Sequence, residues 1–224
     1  MPGAALKVRA NIPALLLATA LAAAPSLASA QGDEPGSFDF YVLSLSWSPS
    51  FCAAEGEGAN PRQCGADKSF AFIVHGLWPQ YESGWPEYCE SDEPQRVPDD
   101  LVDDYLDLMP SPALIGHQWR KHGTCTGMEQ EDYFAFLRKA RERVIVPAEL
   151  AGRDAASMVS PDLVEQRFLA ANPDLDPDEI AVTCDQRFLR EVRICMTEDL
   201  TFRACREVDE RSCKSERALM PPAR

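Results

Sequence analysis

Eight cysteines constrain this chain more than any other feature. Cys52, Cys64, Cys89, Cys125, Cys184, Cys195, Cys205 and Cys213 all lie downstream of a segment that reads as an export leader. In that segment Lys7 and Arg9 precede an apolar run from Leu15 to Ala24, and Ala28-Ser29-Ala30 offers a small-residue cleavage site. The mature chain is expected to begin near Gln31, with residues 1–30 removed. An even number of cysteines in an exported chain argues for four disulfides, although spacing alone leaves their connectivity open. The other common use of cysteine, a zinc site, wants short Cys-x-x-Cys or His-x-x-x-His ladders, and the chain has none. No metal or other cofactor is therefore expected.

The leader run is shorter than a bilayer span and is broken by Pro13 and Pro25, which makes it a poor anchor. No later stretch is long and apolar enough to span a membrane. The product is expected to be soluble and monomeric, in a periplasm or outside the cell. About 194 residues remain, enough for one domain with a sizeable core. In that part 20 bases face 36 acids, a net charge of −16, which discourages non-specific adhesion to nucleic acid. An anionic substrate has to be drawn in by local cations, and Arg120 and Lys121 are the obvious ones.

Phe38 to Trp47 is rich in aromatic and β-branched residues with apolar side chains on both faces, as a strand in the middle of a sheet would be. Pro49 ends it, and a loop bearing Cys52, Gly56, Gly58, Pro61 and Cys64 follows. Residues 69–74 read as a second strand that delivers His75 at its exit, where Gly76 lets the backbone turn. An acidic amphipathic helix is expected from Asp99 to Leu108. Ser111-Pro112 supplies an N-cap and a first-turn proline, and Gly123 a stop, so a helix spans 112–122. Further helices are expected at Gln130–Val146 and at Pro161–Ala171 capped by Ser160. Ile180–Cys184, Phe188–Met196 and Leu200–Cys205 read as antiparallel strands, the last two joined by a turn that sets Cys195 roughly opposite Cys205. Strands at both ends and helices between them imply an α+β fold around a central antiparallel sheet, packed with helices and stabilised by disulfides.

All three histidines fall in two short segments, His75 in Phe72-Ile-Val-His-Gly-Leu-Trp-Pro-Gln80 and His117 with His122 in His117-Gln-Trp-Arg-Lys-His-Gly-Thr-Cys125. Imidazole titrates nearest neutrality, so two of them can supply one general base and one general acid to a single reaction. On a helix, positions 117, 118, 121 and 122 fall within a face about 140° wide, which turns His117, Gln118, Lys121 and His122 into one cleft. Phosphodiester cleavage has these needs: one group takes a proton from the attacking hydroxyl, another gives one to the leaving oxygen, and a cation holds the charge that grows on the phosphoryl oxygens. No metal is required if the nucleophile is the ribose 2′-hydroxyl.

His-Gly-Leu-Trp-Pro at 75–79 and Trp-x-Lys-His-Gly-Thr-Cys at 119–125 resemble the two active-site segments of the ribonuclease T2 family of transferase-type endoribonucleases. The resemblance extends through Asp39 to Cys52 and through Glu191-Val-Arg-Ile-Cys195, and so covers nearly the whole mature chain. It implies His122 as general base on the 2′-hydroxyl, His75 as general acid to the 5′-oxygen, His117 as a phosphate ligand and Lys121 as stabiliser of the transition state. The products implied are 2′,3′-cyclic phosphates, hydrolysed more slowly to 3′-phosphates. Single-stranded RNA would be the substrate, and DNA, lacking the 2′-hydroxyl, would not be cut. Trp78 is placed like the family's base-stacking residue and Gln80 where a side chain touches a base edge. Trp85 and Tyr88 are weaker candidates of the same kind. The resemblance also implies the pairs Cys52–Cys64, Cys89–Cys125, Cys184–Cys213 and Cys195–Cys205.

Gln118 departs from the family, which usually carries Glu there. An amide can still hydrogen-bond a phosphoryl oxygen, but it cannot ionise or help to hold a histidine protonated. That departure supports one competing reading, an exported binding or inhibitory protein with a ribonuclease-like core. A second, a zinc hydrolase using His75, His117 and His122, is disfavoured because 117 and 122 lie five apart and Gln118 cannot act as the base.

Overall fold

Phe40–Trp47 forms the strand on which the rest is built. The structure, a computed structural model, describes residues 33–223 other than Glu57 and Arg153, together with Met1 and Gly3. The leader read at residues 1–30, those two residues aside, lies outside the described residues. In chain order the elements are β1 (Phe40–Trp47), α1 (Ser48–Glu55), α2 (Pro61–Cys64), β2 (Phe72–Gln80), α3 (Asp99–Asp104), α4 (Pro112–Lys121), α5 (Gln130–Glu142), α6 (Ala148–Ala151), β3 (Ser157–Val159), α7 (Pro161–Ala171), β4 (Ile180–Cys184), β5 (Leu189–Met196), α8 (Arg206–Glu210) and β6 (Ala218–Met220). The main sheet runs β2-β1-β5-β4 with every neighbouring pair antiparallel, and β3 with β6 makes a two-stranded annex. This is the α+β architecture expected from the sequence.

Alternation along the strands gives the sheet two different faces. Tyr41, Leu43, Leu45 and Trp47 from β1 join Val192, Ile194 and Met196 from β5 in the large core, under Phe134 and Leu137 of α5 and Phe168 of α7. Burial of each such side chain contributes about 1.5–3 kcal/mol. Phe40 and Val42 face the other way, into a smaller cluster with Cys195, Cys205 and Val208. That second face also carries polar and charged residues, and it becomes the floor of the site.

Four local readings need correction. Pro49 does end the strand, but it also sits in the first turn of α1, where its missing N–H costs nothing, so the expected loop is helical. The second strand does not stop at Val74; β2 continues to Gln80, and Pro79 is tolerated because β2 is an edge strand. Gly123 is not the left-handed stop after α4: the chain continues into a 3-10 turn, and Gly127, with φ +73°, holds the left-handed position. A side chain at 123 is excluded because its Cβ would lie 2.3 Å from the Trp119 ring. Finally, Leu200–Cys205 is not a strand. β5 already has β1 on one side and β4 on the other, so only an isolated bridge from Met196 to Phe202 forms, and Leu200 adopts φ +60°.

Candidate active site

One bulge and one helix end build the site. In the β1–β2 ladder Ser44 pairs with Gly76 and Leu45 with Val74, which leaves His75 as an extra residue without a partner. Val74 and Leu77, three apart, therefore both face the large core, while His75 and Trp78 turn to the opposite face. Gly76 serves close approach: a Cβ there would lie 2.1 Å from Gln118 Oε1. A strand with no bulge would send one of these core residues to solvent.

The second wall is α4. Ser111 caps it by accepting a hydrogen bond from the Leu114 N–H at 3.2 Å, and Arg120 and Lys121 in the last turn complement the helix dipole. His122 is the residue at which the chain leaves the helix, its N–H bonded to the Gln118 carbonyl at 2.9 Å. The Cys89–Cys125 disulfide and the bond from the Tyr88 N–H to the Lys121 carbonyl (2.9 Å) tie the loop after β2 to this helix end. The other bridges are Cys52–Cys64, Cys184–Cys213 and Cys195–Cys205, the last two holding α8 beside the cleft.

His75, Trp78, Gln80, His117, Gln118, Lys121 and His122 all line a single cavity of ≈ 320 Å³. Trp119 and Arg120 lie outside it, Trp119 in the core with its indole N–H on the Pro94 carbonyl at 2.8 Å. Trp78 is the hub. It stacks on His122 at 5.3 Å, meets His75 edge-on at 5.2 Å and donates its indole N–H to Gln118 Oε1 at 2.7 Å. Gln118 is 1 % exposed, so its acceptor is committed to Trp78. Gln80 is buried, with its amide turned to the Pro79 carbonyl at 2.9 Å.

The two histidines on either side of Trp78 live in different media. His122 is 6 % exposed, and its Nδ1 has no hydrogen-bond partner among the described residues. Burial, reinforced by the positive charge of Lys121 and the other two histidines, pushes its pKa down to about 3, so the ring is neutral above that pH. His117 is lowered in the same direction, again by burial first and then by Lys121 and Arg120. His75 instead has Nδ1 at 2.5 Å from Glu191 Oε1. Lys121 Nζ pairs with Glu87 at 3.2 Å at the cleft margin. Among the described residues, no group of three His, Cys, Asp or Glu side chains is arranged to hold a metal ion.

Sequence reasoning missed several groups of the site: Arg193, Glu207 and Arg211 line the cavity, and Glu191 stands behind His75. Glu191 and Arg193 stand two apart on β5 and so share the cleft face, and Arg193 also lies 5.2 Å over the Trp78 ring. Glu207 approaches from α8 and Arg211 from the residue that ends it; Glu207 accepts the Gly84 N–H at 3.0 Å and Arg211 covers Trp85 at 5.0 Å. The available signal was charge inside a strand flanked on both sides, at Arg190, Glu191 and Arg193.

The fold and this cleft define a family. A model of the ribonuclease T2 family matches residues 38–205, and the chain belongs to that family, as an endoribonuclease. A ribonuclease from Aeromonas hydrophila is 33% identical over 170 residues, covering 75% of this chain and 76% of the relative. Among solved structures, an RNase-related protein from Calystegia sepium superposes with a TM-score of 0.66 at 19% identity, over 84% of this chain and 98% of that one. A point mutant of RNase MC1 in complex with 5′-UMP gives 0.59 at 20% identity, over 74% and 91%. At those identities the structural likeness speaks for the fold alone.

Proposed function

We propose that the cleft cleaves single-stranded RNA by transphosphorylation without a metal, giving 2′,3′-cyclic phosphates and then, more slowly, 3′-phosphates. The observation that carries this reading is the opposed environment of two imidazoles about one indole. His122, neutral down to about pH 3, is suited to take the 2′-hydroxyl proton. His75 has Nδ1 engaged by Glu191, which leaves Nε2 as its reacting nitrogen, suited to give a proton to the leaving 5′-oxygen. His117 and Lys121, on the same helix face, would hold the phosphoryl oxygens, and stabilisation of this kind is commonly worth about 3–4 kcal/mol per donor. Gln118 would act through its hold on the Trp78 indole N–H. Trp78 and Gln80 would border the base.

A point mutant of RNase MC1 has been crystallised with 5′-UMP, which fits nucleotide binding in this fold. We propose that the protein acts as a monomer. We further propose that residues 1–30 direct export to a periplasm or to the medium. The four disulfides support an oxidising compartment, and among the described residues no helix is long and apolar enough to cross a membrane.

The test is to incubate residues 31–224 with single-stranded RNA and with DNA in EDTA between pH 4 and 8, and to identify the ends. Fragments of RNA alone, ending in cyclic phosphate, are expected. Ends bearing 5′-phosphate, or a requirement for added metal, would overturn the mechanism. Retained RNA binding with no cleavage at any pH would favour the binding-protein reading, whose one supporting observation is Gln118.

A further inference from the structure

Glu191 is a carboxylate placed where a sheet normally keeps apolar or neutral groups. It stands on β5 between β1 and β4, opposite Ser46 on one side and Thr183 on the other, with its side chain 12 % exposed. An ionised carboxylate is costly in such a position unless charged partners satisfy it. Both of its oxygens are satisfied. Oε1 meets His75 Nδ1 at 2.5 Å, and Oε2 accepts two hydrogen bonds from the Arg193 guanidinium, at 2.9 and 2.7 Å. Burial alone would raise its pKa, but the bonds and charges of His75 and Arg193 outweigh burial and hold it at about 2.

The charged and titratable groups around this pair are few. β5 contributes Arg193 and Arg190, the latter paired with Asp185 at 3.4 Å. The α4 wall contributes His117, Lys121 and His122. The facing residues of β1, Ser44 and Ser46, carry no charge. Arg193 therefore balances the charge of Glu191, and what the carboxylate gives His75 is chiefly direction: an acceptor that only Nδ1–H can meet.

We propose that Glu191 is a positioning residue for His75, held by Arg193 so that it takes Nδ1–H and leaves Nε2–H for the leaving 5′-oxygen. The inference rests on the proposed role of His75 as general acid. In that step the 2′-oxygen bonds to phosphorus and gives its proton to His122. The P–O5′ bond breaks with its electron pair passing to O5′, which takes the proton from His75 Nε2.

Glu191→Gln separates position from shape. The Arg193 fork needs an oxygen acceptor, so the amide oxygen stays on Arg193 and the amide NH2 turns toward Nδ1. An N–H facing Nδ1 leaves no acceptor for a proton there, so it disfavours the doubly protonated ring that gives up Nε2–H readily; the neutral tautomer it selects keeps Nε2–H but is a far weaker acid. The expected result is a fall in kcat on RNA of about 10²–10³-fold with KM within about twofold, the lower part of the range of about 10²–10⁴-fold that general acid catalysis supplies. On nucleoside 3′-(4-nitrophenyl phosphates), whose leaving group needs no proton, the variant stays within about threefold of the parent. Equal losses on RNA and on the nitrophenyl esters, or no loss on RNA, would overturn the proposal. Nitrogen-15 spectra of the His75 ring test it without any activity: a proton on Nδ1 in the folded parent is expected, and a bare Nδ1 overturns it even if the variant fails to fold. A parent that cuts neither substrate while keeping Nδ1–H would count against the ribonuclease mechanism and leave the Glu191–His75 geometry standing.

Discussion

The two walls of the cleft handle the same side chain in opposite ways. On the sheet wall His75 sits at a bulge, half-buried, with an ionised carboxylate on its ring and Arg193 behind that. On the helix wall His122 sits at a helix end, nearly closed off from solvent, with Lys121 beside it and no hydrogen-bond partner for Nδ1 among the described residues. Pushing like groups apart by environment is how one site obtains an acid and a base near neutrality. Trp78 lies between them and touches both, so the division is kept across a single ring.

The comparison breaks most visibly if either wall loses its imidazole. His122→Ala and His75→Ala are each expected to lower kcat/KM on RNA by about 10²–10⁴-fold, measured by cleavage of a labelled oligonucleotide. The walls differ in the leaving group: only the His75 variant should recover on nitrophenyl esters.

The next effect is on stability. Folded His122 takes no proton until about pH 3, whereas the unfolded chain's histidine takes one near 6.5. This group's contribution is therefore full above pH 6.5 and falls as pH drops toward 3, by about 3–5 kcal/mol. Chemical denaturation of the parent and of His122→Asn across that interval should show a shallower slope in the variant. Equal slopes would mean the ring is not held neutral.

Cutting the helix wall loose comes third. Cys89–Cys125 closes 36 residues, and the Cys89→Ala, Cys125→Ala pair should lose about 3–4 kcal/mol by the loop-entropy argument. Specific activity of the soluble, folded variant should also fall, since this bridge, beside the Tyr88 N–H bond to the Lys121 carbonyl, fixes the loop after β2 to the helix end that carries Lys121 and His122. Gln118→Glu is a smaller change. A carboxylate against Trp78 and near His122 favours the charged imidazole, so the acid limb of kcat/KM should rise by about one pH unit. Smallest of all, Tyr88 holds φ +53°, and Tyr88→Asn should raise stability by about 1 kcal/mol in thermal melts, since Asn tolerates that region more easily.

The helix wall was the more legible of the two. Ser111-Pro112 marks the start of α4 by local chemistry, and a 3.6-residue period suffices to gather His117, Gln118, Lys121 and His122 on one face. β1 and β4 declared themselves through their apolar runs. The sheet wall was opaque because its determinants are not local. The partner of His75 lies 116 residues away, and the bulge that turns His75 over is a property of the ladder rather than of β2. Gly76 looks like a turn residue in sequence because a glycine's need for space leaves the same mark there as a need for positive φ. Leu200–Cys205 has strand composition but no free edge to join, which only the order of the sheet reveals.

The most direct test of the two-wall account is the titration of His122 itself, followed by nitrogen-15 spectra of the ring from pH 7 to 4 in the folded, unliganded protein. The account predicts a ring that stays neutral throughout, its midpoint below pH 4. A midpoint near the ordinary 6.5 would contradict it, because the helix wall would then offer a charged imidazole where the reaction needs a base.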